Sequence, residues 1–192
     1  MGELTVVESV TLDGVMQAPG RADEDTRDGF EHGGWAVPYA DEVIGRAMGE
    51  RMGGPGGILL GRRTYEDLFG FWPKQKDNPY TETLNRSLKY VASRSLTEPL
   101  PWENSALIGG DAADAVAGIK EEEEHITVIG SGELVGSLIG RRLIDEYLLL
   151  IHPLVLGSGR RLFTDGSVAS LELQDTLVTT TGVVIATYRP AR

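Results

Sequence analysis

The chain predicts an α/β fold in three layers: a mixed, mostly parallel sheet with helices on both faces and a C-terminal antiparallel hairpin. Three observations carry this. Over the first two-thirds, short apolar runs alternate with helical apolar stripes, the pattern of strands joined by crossover helices. Several of those runs end in a glycine or small polar residue that leads into a helix or turn. The last third changes character: Leu171 to Tyr188 is rich in Thr, Val and Leu around Gly182, which reads as a closing hairpin.

Taken in order, Leu4 to Val10 is a mostly apolar, β-branched strand, and Leu12-Asp13-Gly14 turns the chain. Ala18 to Gly34 is poor in apolar residues and rich in acids, so it reads as a long surface loop of the functional or mobile kind, a lid over a site. Pro38-Tyr39 opens a helix, with Ala40, Val43, Ile44, Ala47 and Met48 on one stripe and Gly53-Gly54-Pro55 as its stop. Gly57 to Leu60 is a buried strand. Thr64-Tyr65-Glu66-Asp67 has the form of a capped helix start. A polar loop follows from Pro73 to Asn78, then a short helical turn near Tyr80 to Leu84. Lys89 to Ala92, Ala106 to Ile108 and Ile126 to Ile129 are strands. Ala112 to Ile119 and Leu134 to Ile139 are the helices after the second and third of them. Glu146 to Val155 is a longer apolar run. No linker or repeat interrupts the pattern, so one domain is expected over 1–192.

Composition bounds the function. With 41% hydrophobic and 24% charged residues the chain is globular. Its net charge of −11 disfavours nucleic acid and anionic membrane as partners. No apolar run has the length of a membrane span, and the start lacks the basic and apolar regions of a secretory signal, so a cytoplasmic location is expected. The absence of cysteine excludes disulfides, thiolate metal sites and cysteine nucleophiles. No metal-ligand spacing or G-x-S-x-G elbow is present. His152, in an apolar run, reads as a core residue. Trp35, Trp72 and Trp102 read as core or lid packing.

The candidate chemistry lies at the strand ends, where an open α/β sheet binds its ligands. Gly130-Ser131-Gly132-Glu133-Leu134 opens a helix after a strand and suits a phosphate, because helix N-termini offer unpaired N–H groups and positive dipole. Its glycine spacing and the lack of a following ribose acid depart from the Rossmann fingerprint. Gly61-Arg62-Arg63-Thr64 repeats the arrangement, with guanidiniums able to grip a phosphate. Ser93-Arg94 is a third, and an arginine just past a strand is suited to a ribose 2′-phosphate. Each alone also reads as a tight turn or a solvated helix end. Together, in an acidic chain, they point to a long anionic ligand such as a dinucleotide, and Arg94 points to NADP. Asp41 and Glu42 read either as charges favourable to a helix dipole or as carboxyls facing the crevice for proton donation.

The sequence resembles the dihydrofolate reductase superfamily, and within it the reductase domain of the riboflavin-biosynthesis deaminase-reductase and stand-alone bacterial proteins like it. The resemblance rests on Ser9 to Gly14, Leu59 to Glu66, Val128 to Leu134, and above all Ile144 to Tyr147 continuing through His152 to Phe163. It implies a dihydrofolate-reductase-like sheet of eight strands, NADPH as hydride donor and a homodimer. It implies a heterocyclic substrate, pteridine- or pyrimidine-like, such as a phosphoribosylaminouracil, or a carbonyl compound. A ligand-binding protein of the same fold without reductase activity is the alternative. Matched residue by residue, Gly61, Arg62, Arg63 and Thr64 fall on the loop for the adenosine side of the cofactor. Ser93 and Arg94 fall on the 2′-phosphate loop, Gly130, Ser131, Gly132, Glu133 and Leu134 on the pyrophosphate loop, and Ser9 at the nicotinamide end. The acid that dihydrofolate reductases carry on the first helix has Asp41 and Glu42 as its nearest counterparts, out of register.

Overall fold

The computed structural model describes residues 1–52, 56–166 and 168–191. The helix stop expected at Gly53-Gly54-Pro55 lies outside them. Eight strands form one sheet: β1 (Glu3–Thr11), β2 (Gly57–Gly61), β3 (Lys89–Ala92), β4 (Ser105–Ile108), β5 (His125–Ile129), β6 (Glu146–His152), β7 (Leu171–Val178) and β8 (Val184–Pro190). Their order is β4-β3-β2-β5-β1-β6-β8-β7. Pairings from β4 across to β6 are parallel. Those of β8 with β6 and β7 are antiparallel, so the closing hairpin sits at one edge.

The helices are α1 (Glu42–Met52), α2 (Arg62–Phe71), α3 (Pro79–Arg86), α4 (Ala112–Glu122) and α5 (Gly132–Gly140). Two layers of helix follow from strand alternation. In β2, Ile58 and Leu60 pack with Tyr65 and Leu68 of α2 and Leu84 of α3, whereas Leu59 packs with Val116 of α4 and Leu138 of α5. Both faces are covered, which is why β2 reads as a continuous apolar run. Helix α1 lays Ile44, Ala47 and Met48 over Val7, Leu148, Leu150 and Ile185. A side chain of this size is worth about 1.5–3 kcal/mol when fully buried.

Local starts differ from the sequence expectation in two places. Pro38-Tyr39 belongs to a 3-10 turn, Val37–Tyr39, and α1 begins only at Glu42, after Ala40 returns to extended backbone. Helix α2 begins at Arg62, with extended Gly61 before it, so Thr64 lies within the first turn and does not cap. Asn78 and Asp111 do cap: their side chains accept from Tyr80 and Thr81, and from Ala113 and Asp114.

The segment from Ala18 to Gly34 is not a loose loop. Phe30 is buried, and with Val15, Ala18 and Trp35 it makes a satellite core against Leu154 and Leu156. The Trp35 indole donates to the Gln17 carbonyl at 2.7 Å and meets His152 edge-on. His152 is itself buried, its Nδ1 2.9 Å from the Leu150 carbonyl. Trp102 is buried and donates to Asn85.

Candidate active site

The C-terminal ends of β2, β3, β4 and β5 open into one cavity of about 1310 Å³. Ser9, Gly61, Arg62, Arg63, Thr64, Ser93, Arg94, Gly130, Ser131, Gly132, Glu133 and Leu134 all line it. Asp41 and Glu42 do not. Both oxygens of Asp41 are committed: Oδ1 accepts from the Ile44 N–H at 2.9 Å, and Oδ2 accepts from the N–H and hydroxyl of Thr180, each at 2.9 Å. These bonds, led by the Ile44 N–H, hold its carboxyl below the usual range. It fastens α1 to the β7–β8 turn, and Glu42 is exposed at the start of the helix. Of the two sequence readings, the structural one describes both acids here.

Two helix starts meet in the cavity: the first-turn residues of α2 and α5 line it, and among the described residues neither helix has a side-chain cap to occupy its first-turn N–H groups. Ser131 joins them. Its hydroxyl accepts from the Gly61 N–H at 2.9 Å and donates to the Ile129 carbonyl, while its own N–H donates to the Thr64 hydroxyl at 3.1 Å. Thr64 is therefore a brace between the two turns. Gly130 permits this closeness: its φ is +57°, and a Cβ there would stand 3.0 Å from Thr64 Cγ2. At Gly132 a Cβ would meet Met16 Sδ at 2.8 Å, so that glycine accommodates Met16 as well as any ligand.

The cationic groups divide. Arg62 pairs with Glu66 at 2.9 Å. Arg63, Arg27 and Arg160 all converge on Glu133 Oε1, at 3.1, 3.4 and 3.4 Å. The Glu133 carboxylate thus gathers guanidiniums from α2, the 18–34 segment and the chain after β6 at the cavity rim. Arg94 is exposed and makes no ion pair among the described residues. The Ser93 hydroxyl accepts from the N–H groups of Ser95 and Leu96, which shapes the turn that presents Arg94.

One cavity residue escaped the sequence reading. Glu8 on β1 is 4% exposed, and its Oε1 has no hydrogen-bond partner among the described residues. Burial pushes its carboxyl well above the usual carboxylate range, and the nearby charge of Glu24 pushes it further. Glu24 comes from the 18–34 segment, where its Oε2 accepts from the N–H groups of Gly20 and Arg21 at 2.7 and 3.1 Å. Burial first, and then Asp67, raises it too, against those N–H bonds. The available signal was a single carboxylate in the otherwise apolar alternate row Leu4, Val6, Glu8, Val10 of a central strand.

Among the described residues no group of acids and histidines is placed to hold a metal ion, and no helix is long and apolar enough to cross a membrane.

Comparison with known proteins agrees with this architecture. The RibD C-terminal domain family matches residues 3–187. The uncharacterized protein YyaP of Bacillus subtilis (strain 168) is 32% identical over 139 residues, 68% of this chain and 72% of its own. A structure from Shewanella sp. PV-4, assigned in name to riboflavin biosynthesis, superposes with a TM-score of 0.70 at 22% identity, covering 99% of both chains. Dihydrofolate reductase from Enterococcus faecalis, complexed with NADP(H) and RAB-propyl, gives 0.61 at 17% identity, covering 100% of this chain and 98% of the other. The expected dihydrofolate-reductase-like fold is thus the fold found.

Proposed function

The chain belongs to the RibD C-terminal domain family, and from that footing we propose that it is an NADPH-dependent reductase of a small heterocyclic or carbonyl substrate. The observation that carries this reading is the meeting in one cavity of two helix starts without side-chain caps and of Arg94, which has no ion pair among the described residues. That donor set fits a dinucleotide: N–H groups for a diphosphate, and a guanidinium for a further phosphate. On this reading the starts at Gly61 to Thr64 and Gly130 to Leu134 hold the diphosphate and adenosine side. Arg94, presented by Ser93, takes the 2′-phosphate, and Ser9 lies at the nicotinamide end. The bound cofactor supplies hydride. The protein's own part is to fix the two ligands against each other and to limit water. The 18–34 segment contributes to that, because its anchored core holds Glu24 and Arg27 at the cavity wall.

Loss of reduced-nicotinamide absorbance, followed with a panel of pteridines, pyrimidines, cyclic imines and ketones, tests the proposal. Consumption that requires both NADPH and one substrate class is expected. NADPH binding with no consumption across the panel would favour a ligand-binding protein of this fold.

A further inference from the structure

Three arginines from three segments meet one carboxylate oxygen at the cavity wall. Arg27, Arg63 and Arg160 each turn Nη1 to Glu133 Oε1, at 3.4, 3.1 and 3.4 Å. A full-strength N–H···O bond between ions is about 2.7–2.9 Å long, so this single oxygen is shared too widely to serve all three well. A phosphoryl group would bring a separate oxygen to each guanidinium. Two of the guanidiniums are already held by their other edges: Arg27 spends Nε and Nη2 on Asp25, and Arg160 spends Nη2 on Asp28. Gln17 fixes the backbone at both residues. It is 4% exposed and lines the same cavity. Its Nε2 donates to the Asp25 and Arg27 carbonyls at 3.2 and 3.1 Å, and its Oε1 accepts from the Arg160 N–H at 2.9 Å. The guanidiniums are thus positioned without Glu133. The Glu133 side chain is 73% exposed and can turn into solvent without opening a buried contact.

We propose that Arg27, Arg63 and Arg160 form a phosphoryl-oxyanion site built on Gln17, and that Glu133 is its internal placeholder, displaced when a phosphate arrives. The charges fit such an exchange. Asp25 and Asp28 offset two of the guanidiniums and Glu133 the third, while Arg63 has no other ion pair among the described residues. Departure of Glu133 therefore leaves a positive charge that a phosphoryl group satisfies with more oxygens than a carboxylate offers. The placeholder keeps the arginines gathered in an acidic chain and makes anion binding compete with an ion pair. Because Arg27 belongs to the 18–34 segment and Arg160 to the chain after β6, one phosphate would tie both to α2. The proposal rests on the reductase reading only for the source of the phosphate, which is the cofactor's diphosphate or a phosphate carried by the substrate.

The test is calorimetric titration of the purified full chain with inorganic pyrophosphate at low salt. A carboxylate that merely braced the site would weaken binding when lost. A placeholder does the reverse: Glu133→Gln should bind pyrophosphate about threefold or more tightly than wild type, the scale of a few exposed ion pairs. Arg160→Ala should weaken pyrophosphate by a similar factor, and in that background the gain from Glu133→Gln should shrink, because the gain acts through the freed guanidiniums. Gln17→Leu should shrink it as well. Gln17 is buried and its loss can disturb the fold, so the exposed pair Glu133 and Arg160 decides the matter. Unchanged or weaker binding by Glu133→Gln, or a gain undiminished by Arg160→Ala, overturns the proposal. Pyrophosphate that NADPH displaces assigns the site to the cofactor's diphosphate, and pyrophosphate bound alongside NADPH assigns it to a phosphorylated substrate. If this pattern holds while no substrate of the panel supports NADPH consumption, the reductase reading falls and the oxyanion site stands. If consumption is found without the pattern, the site falls and the reductase reading stands.

Discussion

Asp41 and Glu8 show what a single residue's environment decides. Both are acids near a predicted site, but Asp41 spends its oxygens on Ile44 and Thr180, whereas Glu8 is buried with an oxygen unpartnered among the described residues. That the strand-end turns line one cavity was legible because glycine turns and helix starts are local features of sequence. Glu8 was not, because its burial depends on β5 and β6, which arrive from more than 100 residues away. Asp41→Asn should therefore lower the urea midpoint and leave turnover per folded molecule unchanged; a selective loss of turnover would return Asp41 to the chemistry. Arg94, by contrast, should be a ligand contact. Arg94→Ala should weaken NADPH about tenfold or more, from a charged hydrogen bond worth about 1.5–3 kcal/mol, and leave NADH nearly unaffected. Fluorescence titration with both cofactors checks this, and an undiminished preference for NADPH would place the 2′-phosphate elsewhere.

Among the elements, the turn after β1 is held by its own carboxylate. The Asp13 carboxylate accepts from the Thr11 hydroxyl at 2.6 Å and from the N–H groups of Leu156 and Gly157 at 3.2 and 2.8 Å, tying the turn to the chain after β6. The Thr11 hydroxyl is the main cause of a pKa lowered to about 2. A depressed folded-state value stabilises the fold above the unfolded value of 3.8 and loses that contribution as pH falls through about 2. Asp13→Asn should thus be less stable than wild type near neutral pH, with the gap closing in acid. Urea midpoints across that range measure it, and a gap independent of pH would contradict it. The turn was legible as Leu12-Asp13-Gly14, but its partners were not, since they lie some 140 residues on. The helix starts were misplaced for a related reason: Pro38 and Thr64 are suitable starting residues, and the tertiary position of α1 and α2 overrode that preference.

At the scale of the molecule, alternating strand and helix made the parallel sheet legible, and the β-rich tail marked the antiparallel edge. The order of strands was not, because it depends on which apolar faces meet. The outer strand β7 leaves Leu173, Leu177 and Val178 about half exposed or more, at 53, 47 and 62%, along a free sheet edge. Pairing of two chains along that edge would satisfy its outward backbone groups and shield these side chains in part. Light scattering should give twice the chain mass, falling to the chain mass when Leu173 and Leu177 are both replaced by Lys; a wild-type monomer would contradict it. The central claim is that the strand-end cavity is a dinucleotide site that reads the 2′-phosphate, and calorimetric titration of the wild-type chain with NADPH and NADH tests it most directly. One NADPH per chain, bound about tenfold or more tightly than NADH, is the predicted result. No binding, or equal affinity for the two, would contradict it.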